Sequence, residues 1–344
     1  MGVFYDGTKL LSSKDINGNV PEIFMCTANN NAGKTTYFSR LLVNRFLDKK
    51  AKFMLVNRFT YELDDCAGKF FKEINHLFFQ NYTLTSVKKA MGSYHELYLN
   101  DIACGYAVAL NSVDALKKYS HYFNDTSCMF FDEFQSETDH YCTKEVEKFR
   151  ALHKLVARGQ GEMVRYVPVY MCGNEITILN PYYVSMGIST RLNRETKILK
   201  GDGFVLEQGF NEAASNAQER SAFNRAFGDD AYNRFTKGGM YLNDSYNFVE
   251  KPKGNSKYLA TIKFKGKDYA IREFAEQGII YCDDKADVTF PFKISITTDD
   301  HQVNYVMLKR NDIFFANMRF FFEKGCFRFK DLRCKDAVLN ALCY

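Results

Sequence analysis

Short apolar runs of strand length recur along the N-terminal part of the chain, and between them the apolar residues switch to helical spacing. The runs are Ile23 to Cys26, Lys52 to Asn57, Ala107 to Leu110, Cys128 to Phe131 and Val167 to Cys172. After the first, Tyr37, Leu41, Leu42 and Phe46 recur at the period of a helix that reaches about Leu47. A run that is apolar throughout, rather than alternating, predicts a strand buried on both faces. Strands of that kind alternating with helices predict a parallel sheet covered by crossover helices. Such sheets bind their ligands beyond the carboxyl ends of the strands, so the residues that follow each run are the candidates for chemistry.

Three of those ends carry polar groups suited to one reaction. After Ile23 to Cys26 comes Ala28-Asn29-Asn30-Asn31-Ala32-Gly33-Lys34-Thr35-Thr36, a GxxxxGKT phosphate loop with alanine in place of its first glycine. Its backbone N–H groups and the following helix N-terminus would face phosphates, Lys34 would reach them, and Thr35 would ligate Mg²⁺. The alanine is a departure, because a Cβ makes the backbone angles open to glycine costly. After Cys128 to Phe131 come Asp132 and Glu133, the first suited to the metal shell and the second to polarising an attacking water. After Val167 to Cys172 come Gly173 and Asn174, whose amide could hydrogen-bond water or Glu133. Each element also has an ordinary reading: a polar turn, a solvated acidic strand end, a turn-forming Asn after Gly. Together and in this order they predict an ATPase, and the absence of an NKxD motif favours ATP over GTP.

A helix marked by Val146, Phe149, Leu152, His153 and Val156 ends at Ala157-Arg158-Gly159. Arg158 either complements the helix C-terminus or is presented toward a neighbouring subunit's γ-phosphate.

Length and composition set the remaining bounds. The 344 residues suffice for about two domains. No run approaches the roughly 18 apolar residues of a membrane span and the N-terminus lacks the apolar core of a signal peptide, so the chain is expected in the cytosol with no membrane partner. Ten cysteines without a CxxC pair or an adjoining His cluster predict reduced, mostly buried thiols and no structural metal. The expected organisation is an ATPase domain over 1–207, a partly helical linker or lid over 208–240, and a second domain over 241–344. In the last, strands at Tyr258 to Phe264, Tyr269 to Phe274, Gly278 to Tyr281 and Lys293 to Thr297 precede helices around Asp312 to Phe322 and from Asp331 onward. Lys251, Lys253, Lys257, Lys263, Lys265 and Lys267 lie there with no acid before Asp268. They are either solvated hairpin lysines that blunt a strand edge or a sequence-independent phosphate contact to nucleic acid.

The order AxxxxGKTT, NRFTYEL (Asn57 to Leu63), FFDEF (Phe130 to Phe134), GNEITILNPYY (Gly173 to Tyr183) and FVEKPKGNSKYLATIKFKGKDYAI (Phe248 to Ile271) resembles the DNA-packaging ATPases of small Picovirinae-type tailed phages through nearly the whole chain. The resemblance implies an α/β, ASCE-type P-loop ATPase domain with a parallel sheet, plus a smaller α+β domain that is a vestigial RNase H-like nuclease. It implies a homopentameric ring in the host cytoplasm, transiently at the portal vertex of a procapsid, moving double-stranded DNA with ATP and Mg²⁺; the portal, DNA and a packaging RNA are the implied partners. Residue by residue, Lys34 and Thr35 match the phosphate loop, Asp132 and Glu133 the metal and catalytic carboxylates, Asn174 the residue that restrains the glutamate, and Arg158 the trans-acting finger. Arg58, in the NRF element, is expected at the second strand's end, where phosphate sensing and DNA contact are both open. The strand Leu259 to Phe264 contains no acid, while a two-metal nuclease needs several carboxylates on two ions about 4 Å apart; Asp283 and Asp284 follow the third strand without an evident partner. Two other classes stay in view: a P-loop protein that binds nucleic acid without hydrolysis, and a terminase with an active nuclease.

Overall fold

The computed structural model describes residues 5–29, 31–159, 161, 163–192, 196–209, 216, 252–309 and 312–343. Asn30, Lys251 and almost all of the expected linker lie outside them. The chain divides into two compact units, Met1–Glu175 with Thr196–Met240, and Ile176–Glu195 with Tyr241–Tyr344. The stretch after Glu175 therefore groups with the second unit rather than with the first, and residues 208 and 209, expected to open the linker, are the end of a strand.

The first unit is built on strands β1 (Ile23–Ala28), β2 (Lys52–Asn57), β3 (Leu84–Lys89), β4 (Tyr94–Leu99), β5 (Ile102–Ala109), β6 (Thr126–Phe131), β7 (Val169–Asn174), β8 (Ile198–Gly201) and β9 (Phe204–Gly209). They form one nine-stranded sheet in the order β3-β4-β5-β2-β6-β7-β1-β9-β8. From β5 to β9 every pairing is parallel, and antiparallel hairpins close the two ends. Strand β7 intervenes between the phosphate-loop strand β1 and the acidic strand β6, which is the arrangement of the additional-strand class of P-loop ATPase folds. Helices α1 (Thr8–Ser12), α2 (Lys34–Lys49), α3 (Cys66–Phe78), α4 (Val113–Leu116) and α5 (Glu145–Val156) accompany it.

Both sheet faces are buried, as continuous apolar runs require. Phe24 and Cys26 of β1, Cys128 and Phe130 of β6, and Tyr170 and Cys172 of β7 pack with Phe38, Leu42 and Phe46 of α2 and with Phe70, Phe71 and Ile74 of α3. The alternate residues Met25, Met129, Phe131 and Met171 are buried on the opposite face, where Phe131 meets Phe149 of α5 with ring centroids 6.0 Å apart. Gly105 is obligatory, since a Cβ there would stand 2.1 Å from the Phe53 carbonyl oxygen of the neighbouring strand. All ten cysteines are free thiols, eight of them buried.

The second unit adds α6 (Pro181–Ser185) and the strands β10 (Lys257–Phe264), β11 (Lys267–Phe274), β12 (Ile279–Asp283), β13 (Lys293–Ser295), β14 (Val306–Met307) and β15 (Phe327–Phe329), with helices α7 (Ile313–Glu323) and α8 (Leu332–Leu342). The sheet order is β14-β13-β10-β11-β12-β15. An antiparallel meander, β10 to β12, is extended by β13 and β14 running parallel to β10. The meander turns at Lys265 and Gly266, both at positive φ (49° and 74°), as a two-residue hairpin turn requires. Asp331 caps α8 by accepting from the N–H groups of Arg333 and Cys334, and Ala337, Val338, Leu339, Ala341 and Leu342 bury its apolar face.

Candidate active site

The ends of β1, β6 and β7 adjoin because β7 lies between the other two, and Ala28 and Asn174 are register partners. Ala28 ends β1 in extended conformation, and among the described loop residues positive φ falls at Asn31 (61°) and Gly33 (88°) instead. That accounts for the alanine: its Cβ occupies a position that asks for no glycine angle, while Gly33 carries the turn into α2.

The first turn of α2 supplies Lys34, Thr35 and Thr36. Lys34 is 6% exposed, and its Nζ donates to the carbonyl oxygens of Ala28 and Asn29, both at 3.0 Å, and to Asn174 Oδ1 at 3.3 Å. Burial holds its pKa below the ordinary lysine value. No carboxylate forms a salt bridge with Lys34 among the described residues, so a nearly dry ammonium stands at the loop's centre held by neutral oxygens, with Asp132 and Glu175 acting on it only from beyond salt-bridge distance. Thr35 Oγ1 donates to both Asp132 oxygens, at 2.9 and 3.1 Å. Burial, and then the neighbouring Glu133, push the Asp132 carboxyl up to about 6. A hydroxyl and a carboxylate brought together beside a buried cation are the hard oxygen donors that fit Mg²⁺ on a nucleotide phosphate.

Glu133 is held at φ 53°, in the left-handed region, directly after β6. Its carboxylate is largely exposed and pairs with Lys69 of α3 at 3.2 Å. Asn174 turns elsewhere: it accepts from Lys34 and donates to Glu137 Oε1 at 3.2 Å, and no hydrogen bond joins it to the Glu133 carboxylate. The expected Asn174–Glu133 restraint is therefore not formed in this arrangement, and Lys69, which the sequence did not single out, occupies that place.

Arg58 also differs from expectation. It follows β2 but points inward, 9% exposed, with Nε on Glu145 at 2.9 and 3.1 Å and Nη2 on the backbone oxygens of Glu133 and Phe134 at 3.3 and 2.9 Å. The partner Glu145 opens α5 and looks in the sequence like any acid in a helix's first turn, so its role was not legible there.

Arg158 lies beyond the end of α5, exposed, with Nη2 on Ser120 Oγ at 2.5 Å. Ser120 precedes β6, while Asp132 follows it. A strand of that length spans about 20 Å, so Arg158 stands at the edge of the sheet opposite its own phosphate loop and cannot reach it.

In the second unit, the lysine series divides. Lys253, Lys257 and Lys267 are exposed, but Lys263 is 8% exposed and pairs with Asp268 at 3.1 Å, and Lys265 pairs with Asp336 at 2.9 Å. Lys263 is thus a core ion pair, not a surface for nucleic acid. Asp283 and Asp284 do have partners, Arg272 at 3.2 Å and Lys330 at 2.6 Å. No helix among the described residues is long and apolar enough to cross a membrane.

A family model described as Podovirus DNA encapsidation protein (Gp16) matches residues 1–342. The DNA packaging proteins of Bacillus phages PZA and phi29 are each 23% identical over 301 residues, covering 86% of this chain and 86% of theirs. Among solved structures, the bacteriophage Phi-29 viral genome packaging motor assembly is similar at TM-score 0.58 and 21% identity, covering 97% of both chains. The Phi-28 gp11 DNA packaging motor is similar at TM-score 0.64 and 15% identity, over 99% of this chain and 98% of that one. At these identities the structural likeness speaks for the fold.

Proposed function

The chain belongs to the Podovirus DNA encapsidation protein (Gp16) family, and from that premise we propose that it packages viral DNA by hydrolysing ATP at the ends of β1, β6 and β7. One observation carries the reading: the buried Lys34 ammonium, held by neutral oxygens rather than by a salt bridge among the described residues, beside the Thr35–Asp132 contact. Lys34, the Gly33–Lys34 turn and the N–H groups opening α2 hold the β- and γ-phosphates; Thr35 and Asp132 hold Mg²⁺, which neutralises charge on the phosphate oxygens when bound. Glu133 accepts the proton of the water that attacks the γ-phosphorus, and ADP leaves with the bridging oxygen. To do so its carboxylate exchanges Lys69 for water, an inexpensive step because that pair is exposed. Asn174, bound to Lys34, is placed to report phosphate occupancy to the β7 end.

Arg158 lies at the sheet end away from its own phosphate loop, which supports a contribution to a neighbouring subunit's site and a homo-oligomeric working form, with five copies and the portal vertex of a procapsid as the family's expectation. Among the described residues, Lys253, Lys257, Lys265 and Lys267 are the exposed lysines of the series and the candidates for phosphate contact with double-stranded DNA or a packaging RNA. The second unit's strand order supports an RNase H-like origin. At the pairing of β10 with β13, Lys263 stands opposite Ser295 and neither is a carboxylate of the kind a two-metal nuclease needs, which supports an activity without DNA cleavage.

Phosphate release measured with and without linear duplex DNA tests this. Lys34→Ala should abolish turnover, and mixing Arg158→Ala with Glu133→Gln protein should restore part of it. Turnover that survives Lys34→Ala would reduce the chain to a nucleic-acid-binding module; mixtures with no recovery at any ratio would remove Arg158 from the site.

A further inference from the structure

We propose that Arg58 is a positioning residue for Glu133, fixing the peptide that carries the base rather than touching nucleotide or DNA. The proposal rests on the reading of Glu133 as that base. The guanidinium sits between the Phe131 and Tyr141 rings, 5.5 and 5.1 Å from their centroids, and its two ends face different elements. Nε is taken by Glu145, the first residue of α5, whose carboxylate also accepts the N–H of Cys142 at 2.8 Å. Nη2 is taken by the carbonyls of Glu133 and Phe134.

Those carbonyls belong to a left-handed corner. Glu133, at φ 53°, pays for its backbone angle with Cβ crowding that glycine would escape, and such a residue persists only where its surroundings over-determine it. Two supports hold it in place. The Phe134 N–H donates to Cys172 O of β7 at 3.1 Å, and Arg58 draws the two carbonyls from the other side. Residue chemistry explains why arginine stands here: a planar guanidinium serves a carboxylate and two carbonyls at once, whereas an ammonium is a point donor. The same residue ties the corner to β2, because its own N–H and that of Phe59 donate to Glu62 Oε2 at 2.7 and 3.0 Å.

The test uses the full chain with DNA-stimulated phosphate release, binding of a fluorescent non-hydrolysable ATP analogue, and thermal melting. Arg58→Lys should lower kcat about ten- to a hundredfold through displacement of the base, with KM and analogue affinity within about threefold of the parent. Glu145→Gln, which retains an acceptor for the Cys142 N–H, should lower kcat in the same way, and the double variant should lose little more than either alone. A kcat unchanged in folded Arg58→Lys overturns the proposal. So does a loss of analogue affinity as large as the loss in kcat, the signature of phosphate contact, or a defect seen only when DNA is added. Glu133→Gln run alongside separates the two readings: if it is inactive while Arg58→Lys is fully active, only the positioning role falls, and if Glu133→Gln itself turns over normally, the hydrolytic reading falls with it.

Discussion

Both units place acidic residues at the ends of sheet strands, yet the two sets are handled in opposite ways. In the second unit three of them pair with cations: Asp283 with Arg272, Asp284 with Lys330 and Asp268 with Lys263. In the first unit Asp132 and Glu133 are consecutive: among the described residues the half-buried Asp132 is bonded to a hydroxyl and a backbone N–H and to no cation, Glu133 has one exposed pair with Lys69, and the buried ammonium of Lys34 engages amide oxygens instead. Like charges kept close and cations kept from their natural partners are unfavourable for folding. They are also what an anionic substrate with a divalent cation can relieve. The contrast teaches that two sets of strand-end acids differ less in which residues they hold than in whether those residues have already been satisfied by one another.

Four measurements would break or sharpen that contrast. The largest effect should come from Glu133→Gln, about a thousandfold in turnover, with analogue binding retained, whereas Asp283→Asn should leave phosphate release at the parental rate; equal losses would erase the distinction between the units. Next comes pH. Because Asp132 titrates near 6 in the fold against 3.8 for a free aspartate, the protonated form is favoured by folding. Its stabilisation is complete below 3.8 and lost as pH rises through about 6, on the order of 2–3 kcal/mol. Melting temperatures of parent and Asp132→Asn should therefore diverge between pH 4 and 6, while Mg²⁺-dependent analogue binding by the parent strengthens over that interval, as the carboxylate ionises.

A smaller change is expected from Asp283→Asn itself. It leaves the half-buried Arg272 without its charge partner and should cost about 1–3 kcal/mol, read as a lower melting temperature with ATP turnover intact. Smallest is Asp331→Ala, the loss of a helix cap, at about 1 kcal/mol. Here the pH dependence runs the other way. Burial opposes ionisation, but the Cys334 N–H and the Arg333 guanidinium hold this carboxyl down to about 2, so its stabilisation is present above 3.8 and lost as pH falls through about 2. A parent-minus-variant difference in melting temperature that grew on acidification would contradict it.

The parallel core was legible because burial on both faces leaves an uninterrupted apolar signature: β2 begins and ends at Lys52 and Asn57 as read, β6 starts two residues earlier than read and β7 is shifted by two residues. The two flanking hairpins were missed for the complementary reason. Their strands are half-exposed or short, as in Leu84–Lys89, and the signal lay in the turns: Asn100 and Asp101, both at positive φ, and Asp202-Gly203 between β8 and β9. Residue types with one plausible task, Lys34, Thr35 and Asp132, were placed together as expected. Arg58 and Lys263 were not, since a sequence shows a charge but not which way it faces; their direction is decided by Glu145 and Asp268, which stand 87 and 5 residues away along the chain.

A motor must let go of its fuel as often as it fires. A buried ammonium stripped of its phosphate would ordinarily stand several kcal/mol above a solvated one and would clutch the product. Lys34 has a resting place within reach, in the carbonyls of Ala28 and Asn29 and the amide of Asn174. The loop thus carries its own substitute for a departing anion, shared between the end of β1 and that of its parallel neighbour β7.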